Sequence, residues 1–123
     1  MKTLYLPLKA KWYEMIERGE KKEEYREIKP YYVDRLLNIK LDFNYDYQLY
    51  EDCISMLQTE KDRQYCLDFM CATFKKFDAV RFSYGYTRRT MTFEIESIGI
   101  GKGKPEWGAP EEDVFIIKLG KRI

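Results

Sequence analysis

Apolar positions near the start of the chain follow first an extended and then a helical pattern. The run from Tyr5 to Leu8 predicts a short strand. Apolar residues then recur at helical spacing up to Gly19, which is placed to end the helix; they are Leu8, Trp12, Met15 and Ile16. The charged stretch from Lys22 to Lys29 predicts a second strand, which Pro30 ends.

The middle of the chain predicts a loop followed by two helices. The stretch from Asp42 to Tyr50, which holds Tyr45 and Tyr47 in a polar background, predicts a loop. A short helix is expected from Leu49 to Gln58. Thr59 then caps a longer helix from Glu60 to about Lys76, whose apolar face carries Leu67, Met70, Cys71 and Phe74.

After Phe77 the pattern becomes that of strands. Three stretches rich in branched and aromatic residues predict strands: Asp78 to Tyr84, Thr90 to Ile100 and Val114 to Leu119. Residues 85–89 predict a hairpin turn, and residues 101–110 a loop rich in glycine and proline. The order predicts an α+β fold, a small mixed β-barrel with flanking helices and a helical insertion between strands at about 42–76.

Composition limits the chemistry. The 123 residues, 45% hydrophobic and 35% charged, fit one globular domain spanning 1–123. No apolar run is long enough to span a membrane and the start is not a signal peptide, so a cytoplasmic protein is expected. There is no histidine, and the three cysteines lack a C-x-x-C spacing, so neither a metal nor a cofactor is expected. The net charge of +1 means that any binding of nucleic acid must use a local patch.

The most informative charges lie between the first helix and the second strand. In a strand that begins near Lys22, Glu24 and Arg26 point to the same side, and Lys21 lies at the turn where that side begins. A cation, a carboxylate and a guanidinium would then converge, an arrangement suited to a polar planar ligand or a phosphate. The alternative is a set of solvated charges on an edge strand.

A second group of candidates lies on the predicted hairpin. Tyr84 and Tyr86 are followed closely by Arg88 and Arg89. Proteins that bind single-stranded nucleic acid combine aromatic side chains, which stack on bases, with cations, which hold phosphate. The alternative is that the tyrosines pack on the barrel and the arginines protect an edge strand. Arg81 faces either the same cleft or solvent. Trp107 closes one side of the pocket or covers the end of the barrel, and the second is the expectation for a single tryptophan in a loop.

The pattern G-x-K-x-x-E-x-R after the first helix resembles the ASCH domain family. It occurs as Gly19, Lys21, Glu24 and Arg26, after a strand that ends L-P-L-K, and the likeness covers the first 32 residues and most of the chain from Asp78 onward. The resemblance implies a PUA-like β-barrel with a cleft beside the first helix. It implies that Lys21, Glu24 and Arg26 line that cleft with Lys9 nearby, and that the ligand is RNA, a nucleotide or a nucleoside.

Two other functions stay open. Small amidohydrolases that deacetylate acetylated cytidine are similar to this family and carry its lysine, which would make Lys21 a base and Glu24 an acid or an orienting group. In those enzymes a threonine stands where this chain has Glu24. The third possibility is a protein-interaction domain that uses the helical insertion as its surface.

Overall fold

The computed structural model describes residues 1–44 and 46–123. The strands are β1 (Thr3–Leu8), β2 (Glu23–Glu27), β3 (Leu37–Asn38), β4 (Thr73–Phe74), β5 (Ala79–Tyr84), β6 (Thr90–Gly101) and β7 (Val114–Arg122). The helices are α1 (Ala10–Glu17), α2 (Pro30–Leu36), α3 (Tyr47–Leu57) and α4 (Glu60–Phe69), with a 3₁₀ turn at Pro105–Trp107. None of the helices in these described ranges is long and apolar enough to cross a membrane.

Five strands form one curled sheet in the order β1-β5-β6-β7-β2, which gives the predicted α+β fold with a partial barrel. Only β1 and β5 are parallel; the other neighbouring strands are antiparallel. The two edges of this sheet are β1 and β2. A fully buried layer fills the concave side, led by Leu4, Tyr13, Phe82 and Phe115. The helical segment packs on the same core through Leu57 and Met70.

The helical segment between β2 and β5 differs in detail from the prediction. The second strand ends at Glu27, two residues earlier than predicted, and Pro30 begins α2, since proline is well suited to the first helical turn. The predicted loop ends at Asp46, whose side chain accepts a hydrogen bond from the Leu49 amide and so caps α3. Thr59 precedes α4 without the predicted cap, because its hydroxyl donates to the carbonyl of Met56 instead.

The predicted helix to Lys76 is wrong at its end. Helix α4 stops at Phe69 in a Schellman motif: Cys71 takes a positive φ of 51°, its amide donates to Asp68, and the next amide donates to Leu67. The chain then forms β4, which pairs with β3. Cys71 is therefore exposed rather than on an apolar face, whereas Cys53 and Cys66 are buried.

Candidate functional site

The turn between α1 and β2 positions the predicted charges. Gly19 adopts a φ of +81° and its amide donates to Ile16, while the Glu20 amide donates to Met15, so that α1 also ends in a Schellman motif. The amide of Lys21 donates to Met15 as well. These bonds fix the exit of the chain from the helix, and the Lys21 side chain is held where β2 begins.

Lys21, Glu24 and Arg26 form one ion-pair network. The Lys21 Nζ lies 3.2 Å from one oxygen of Glu24, and a guanidinium nitrogen of Arg26 lies 2.8 Å from the other oxygen. Only 2% of Lys21 and 5% of Glu24 is exposed to solvent. These groups are therefore not solvated charges on an edge strand, although β2 is an edge strand. The predicted convergence is confirmed.

The Lys21 ammonium contacts a backbone carbonyl, a carboxylate and two aromatic rings. Its ammonium donates to the backbone carbonyl of Trp107 and to Glu24. It also lies 5.1 Å from the ring centroid of Trp12 and 4.7 Å from that of Tyr25, within the range of cation–π attraction. Burial lowers the pKa of Lys21, and the attraction of Glu24 opposes this shift.

Arg26 joins the two edges of the curled sheet. Its guanidinium donates to the carbonyl of Pro7 in β1 at 2.9 Å while its own backbone belongs to β2. The same guanidinium carbon lies 5.7 Å from the ring centroid of Tyr32 in α2. Its Nε is buried and has no hydrogen-bond partner among the described residues.

A cleft of about 560 Å³ opens over this network. We call it the Lys21 cleft. Its charged lining residues are Lys9, Lys21, Glu24, Arg26 and Glu27, and its aromatic lining residues are Trp12, Tyr25, Tyr32, Tyr86 and Trp107. The lining thus carries three cations and two carboxylates. Lys9 and Glu27 are exposed and form no salt bridge within the described ranges, so both are available to a ligand.

The hairpin candidates separate into different places. Tyr86 lines the Lys21 cleft. Tyr84 packs edge-to-face on Tyr13 at 5.2 Å and its hydroxyl bonds to Glu14, so it lies under the hairpin and not among the cleft residues. Arg88 is exposed near the turn.

The structure decides between the alternatives left open for Arg81 and Trp107. Arg81 is exposed, bonds to the hydroxyl of Thr92 and lies over the ring of Tyr5, because alternation along β5 turns it away from the core and the cleft. Trp107 lines the cleft, which was the less favoured of its two interpretations, and its carbonyl accepts a hydrogen bond from Lys21.

Several cleft residues escaped the sequence reasoning. Trp12 was assigned to the buried face of α1, but Tyr13 and Ile16 occupy that face and Trp12 lies against Gly108 at the cleft. Tyr32 belongs to α2, which was not predicted. The start of α2 at Pro30 was the available signal, since proline is favoured in the first helical turn.

The helical insertion exposes several aromatic side chains. Tyr47, Tyr65 and Phe69 are among the most exposed large apolar residues. A small apolar groove of about 110 Å³ separates α3 from α4 beside Tyr65 and Phe69. Tyr47 belongs to α3 rather than to a loop, and Tyr45 lies outside the described residues.

Comparisons with known proteins leave the chemistry to be argued from the site. The scan against protein-family models found no match, and neither the search of curated proteins nor that of solved structures found one. Within residues 1–44 and 46–123, no group of three or more histidine, cysteine, aspartate or glutamate side chains could hold a metal ion.

Proposed function

We propose that this chain is an ASCH-type, PUA-like domain of the cytoplasm, and that its Lys21 cleft binds a nucleobase-containing ligand: RNA, a nucleotide or a nucleoside. The observation that carries the proposal is the buried network of Lys21, Glu24 and Arg26 beneath a cleft with aromatic walls. The G-x-K-x-x-E-x-R pattern, which resembles that family, supplies three of these residues.

The size and walls of the cleft suit a planar ring. A volume of about 560 Å³ falls in the range of sites for small molecules. Trp12, Tyr32 and Trp107 are among the aromatic residues that line the space. Stacking on such side chains is the usual way in which proteins hold unpaired bases.

The polar groups suit the edge of a base and a phosphate. A carboxylate accepts from an exocyclic amino group, and Glu27 is the exposed carboxylate of the cleft. Lys9 offers a positively charged ammonium group to the same cleft, and this group suits a phosphate. Because the lining has one more cation than carboxylates, a singly phosphorylated ligand would meet a favourable field.

Calorimetric titration with the four nucleosides and their 5′-monophosphates tests the proposal. We expect at least one of them to bind, and we expect the double variant Lys21→Ala/Arg26→Ala to abolish binding. The single variant Glu27→Gln should weaken binding by about tenfold, the value of one charge-assisted hydrogen bond. Glu27 is exposed, so this variant tests the cleft without disturbing the core.

A matched control lies outside the lining of the cleft. Asp113 is held between Arg63 and Lys102, a second carboxylate with one guanidinium and one ammonium, and none of the three lines the Lys21 cleft. The variant Arg63→Ala/Lys102→Ala removes the same charges there and should retain binding. The proposal would be refuted if none of the eight compounds bound, or if both double variants lost the same amount of binding affinity.

An amidohydrolase is the second candidate, and the burial of Lys21 favours it. Since burial lowers the pKa of Lys21, a larger fraction of its amine is unprotonated near neutral pH than in an ordinary lysine, and only the unprotonated amine can act as a general base. In such a reaction Lys21 would take a proton from water as the water adds to an amide carbonyl, with Glu24 orienting the lysine amine. Lys21 would then give this proton to the amide nitrogen as the C–N bond breaks, which releases the carboxylic acid and the free amino group. The carbonyl of Trp107 and the Glu24 carboxylate both stabilise the ammonium form and work against this role.

Incubation with N4-acetylcytidine separates the two candidates. Chromatography should detect cytidine and acetate if the cleft is catalytic, and the yield should vanish in Lys21→Met. If the compound binds in calorimetry and no cytidine forms at high protein concentration, the chain is a binding domain.

A further inference from the structure

The hairpin turn beside the Lys21 cleft presents one aromatic ring entirely to solvent. Tyr86 is 96% exposed, although it lines the cleft. The other aromatic rings of the cleft already have partners: Trp12 and Tyr25 face Lys21, Tyr32 faces Arg26, and Trp107 faces Lys104. Tyr86 has no aromatic or cationic partner among the described residues.

The turn that carries this ring is braced. The Gly85 amide donates to Leu8 at 2.7 Å, which ties the turn to the end of β1. The hydroxyl of Ser83 donates to the Gly85 carbonyl, and that of Thr87 donates to Tyr84. Tyr86 is therefore held in place by its backbone, and its exposure does not result from a loose loop.

Two exposed cations are available to phosphate: Arg88, two residues after Tyr86 in the same turn, and Lys9, which lines the cleft with Tyr86. Arg89 is paired with Glu17 and lies over Tyr84, whereas Arg88 forms no salt bridge in the described part of the chain. Lys9 lies on the rim of the same cleft. An exposed ring next to free cations, beside a cleft sized for one small ligand, is the pattern of a site that holds successive nucleotides.

Resting on the proposed function, we infer that the cleft binds one nucleotide of a single-stranded nucleic acid whose neighbouring base stacks on Tyr86 while its backbone passes Lys9 and Arg88. An isolated nucleotide would leave Tyr86 and Arg88 unused. The ligand is therefore a strand, and the affinity rises when the strand is long enough to reach the hairpin.

Titration of nucleoside 5′-monophosphates against single-stranded hexamers tests this inference. The hexamers are RNA strands of A, C or U and a DNA strand of C, which also distinguishes the two kinds of nucleic acid. One hexamer should bind about 5-fold to about 150-fold more tightly than its monophosphate, the range for one stacked base. In Tyr86→Ala this advantage should be lost, and Tyr86→Phe should retain it.

Matched controls decide the outcome. Tyr65 is also an exposed tyrosine, at 67%, and lies on α4 away from the cleft, so Tyr65→Ala should leave hexamer binding unchanged. Arg88→Ala should reduce the slope of log affinity against log salt by about 0.7. A monophosphate that binds as tightly as its hexamer, or equal effects of Tyr86→Ala and Tyr65→Ala, would overturn this inference and leave the proposed function standing. If neither ligand binds, both fall.

Discussion

Glu24 lies at the centre of the buried ion network, so neutralising it is the sharpest test of how that network is held. At an effective dielectric of about 20, charges 3.2 Å and 2.8 Å apart attract by about 5 and about 6 kcal/mol before desolvation is subtracted. The variant Glu24→Gln keeps the shape and removes both attractions. It leaves the Lys21 ammonium and the Arg26 guanidinium uncompensated.

We expect Glu24→Gln to lower the free energy of unfolding by about 3–5 kcal/mol, the usual cost of breaking a buried ion pair. For 123 residues, an unfolding entropy of about 2.1 cal/mol/K per residue converts this to a fall in Tm of about 12–19 °C. Urea titration and calorimetry measure both quantities.

Two further variants make the reasoning refutable. Glu96→Gln removes an exposed carboxylate that lies 3.9 Å from Lys118, and should change stability by less than about 0.5 kcal/mol. The triple variant Lys21→Met/Glu24→Leu/Arg26→Met replaces the network by apolar groups and should recover most of the loss. If Glu24→Gln costs no more than Glu96→Gln, the network is not buried in solution and the argument fails.

Three smaller predictions concern other parts of the fold. The hydrogen bond from the Arg63 guanidinium holds the pKa of Asp113 below 3.8, so the stability that this carboxylate contributes is lost as pH falls through its folded pKa. The urea midpoints of the wild type and Asp113→Asn should therefore converge between about pH 5 and about pH 2. Gly108→Ala should lower the free energy of unfolding by about 1–3 kcal/mol and shift tryptophan emission, because φ is +96° and the added Cβ would lie 2.8 Å from Trp12. Gly99→Ala is the control, since a Cβ there meets open space, and equal Tm values for the two variants would contradict the prediction. Cys71→Gly should raise stability by about 0.5–1 kcal/mol in thermal unfolding, since Cys71 has a positive φ of 51°, and a fall in Tm would refute the strain.

Local pattern was sufficient for the elements that carry the site. The helical spacing up to Gly19 and the alternation of Glu24 and Arg26 gave α1, β2 and the convergence of charge, because each depends on residues close in sequence. Strand propensity predicted β5, β6 and β7, but not the order of the strands in the sheet.

Tertiary contacts decided what the sequence could not. Nothing near Trp107 in sequence indicates that its carbonyl would bond to Lys21, since the two are 86 positions apart. Helix α4 was predicted too long because Met70 and Phe74 do pack on the core, but from either side of a chain reversal and not from one helix face. Arg81 was ambiguous because alternation fixes two faces and does not say which of them meets the cleft.

The bond between Lys21 and the Trp107 carbonyl also has a consequence for biosynthesis. Strand β2 pairs with β7, and the carbonyl that accepts from Lys21 belongs to Trp107, so both partners are made well after β2. At about 5–20 residues per second, the ribosome needs about 4–17 s to add the 86 residues from Lys22 to Trp107. During that time the network's charges remain hydrated on an unpaired segment. The cleft therefore forms only after two segments far apart in sequence, β2 and the stretch from Trp107 to β7, have come together.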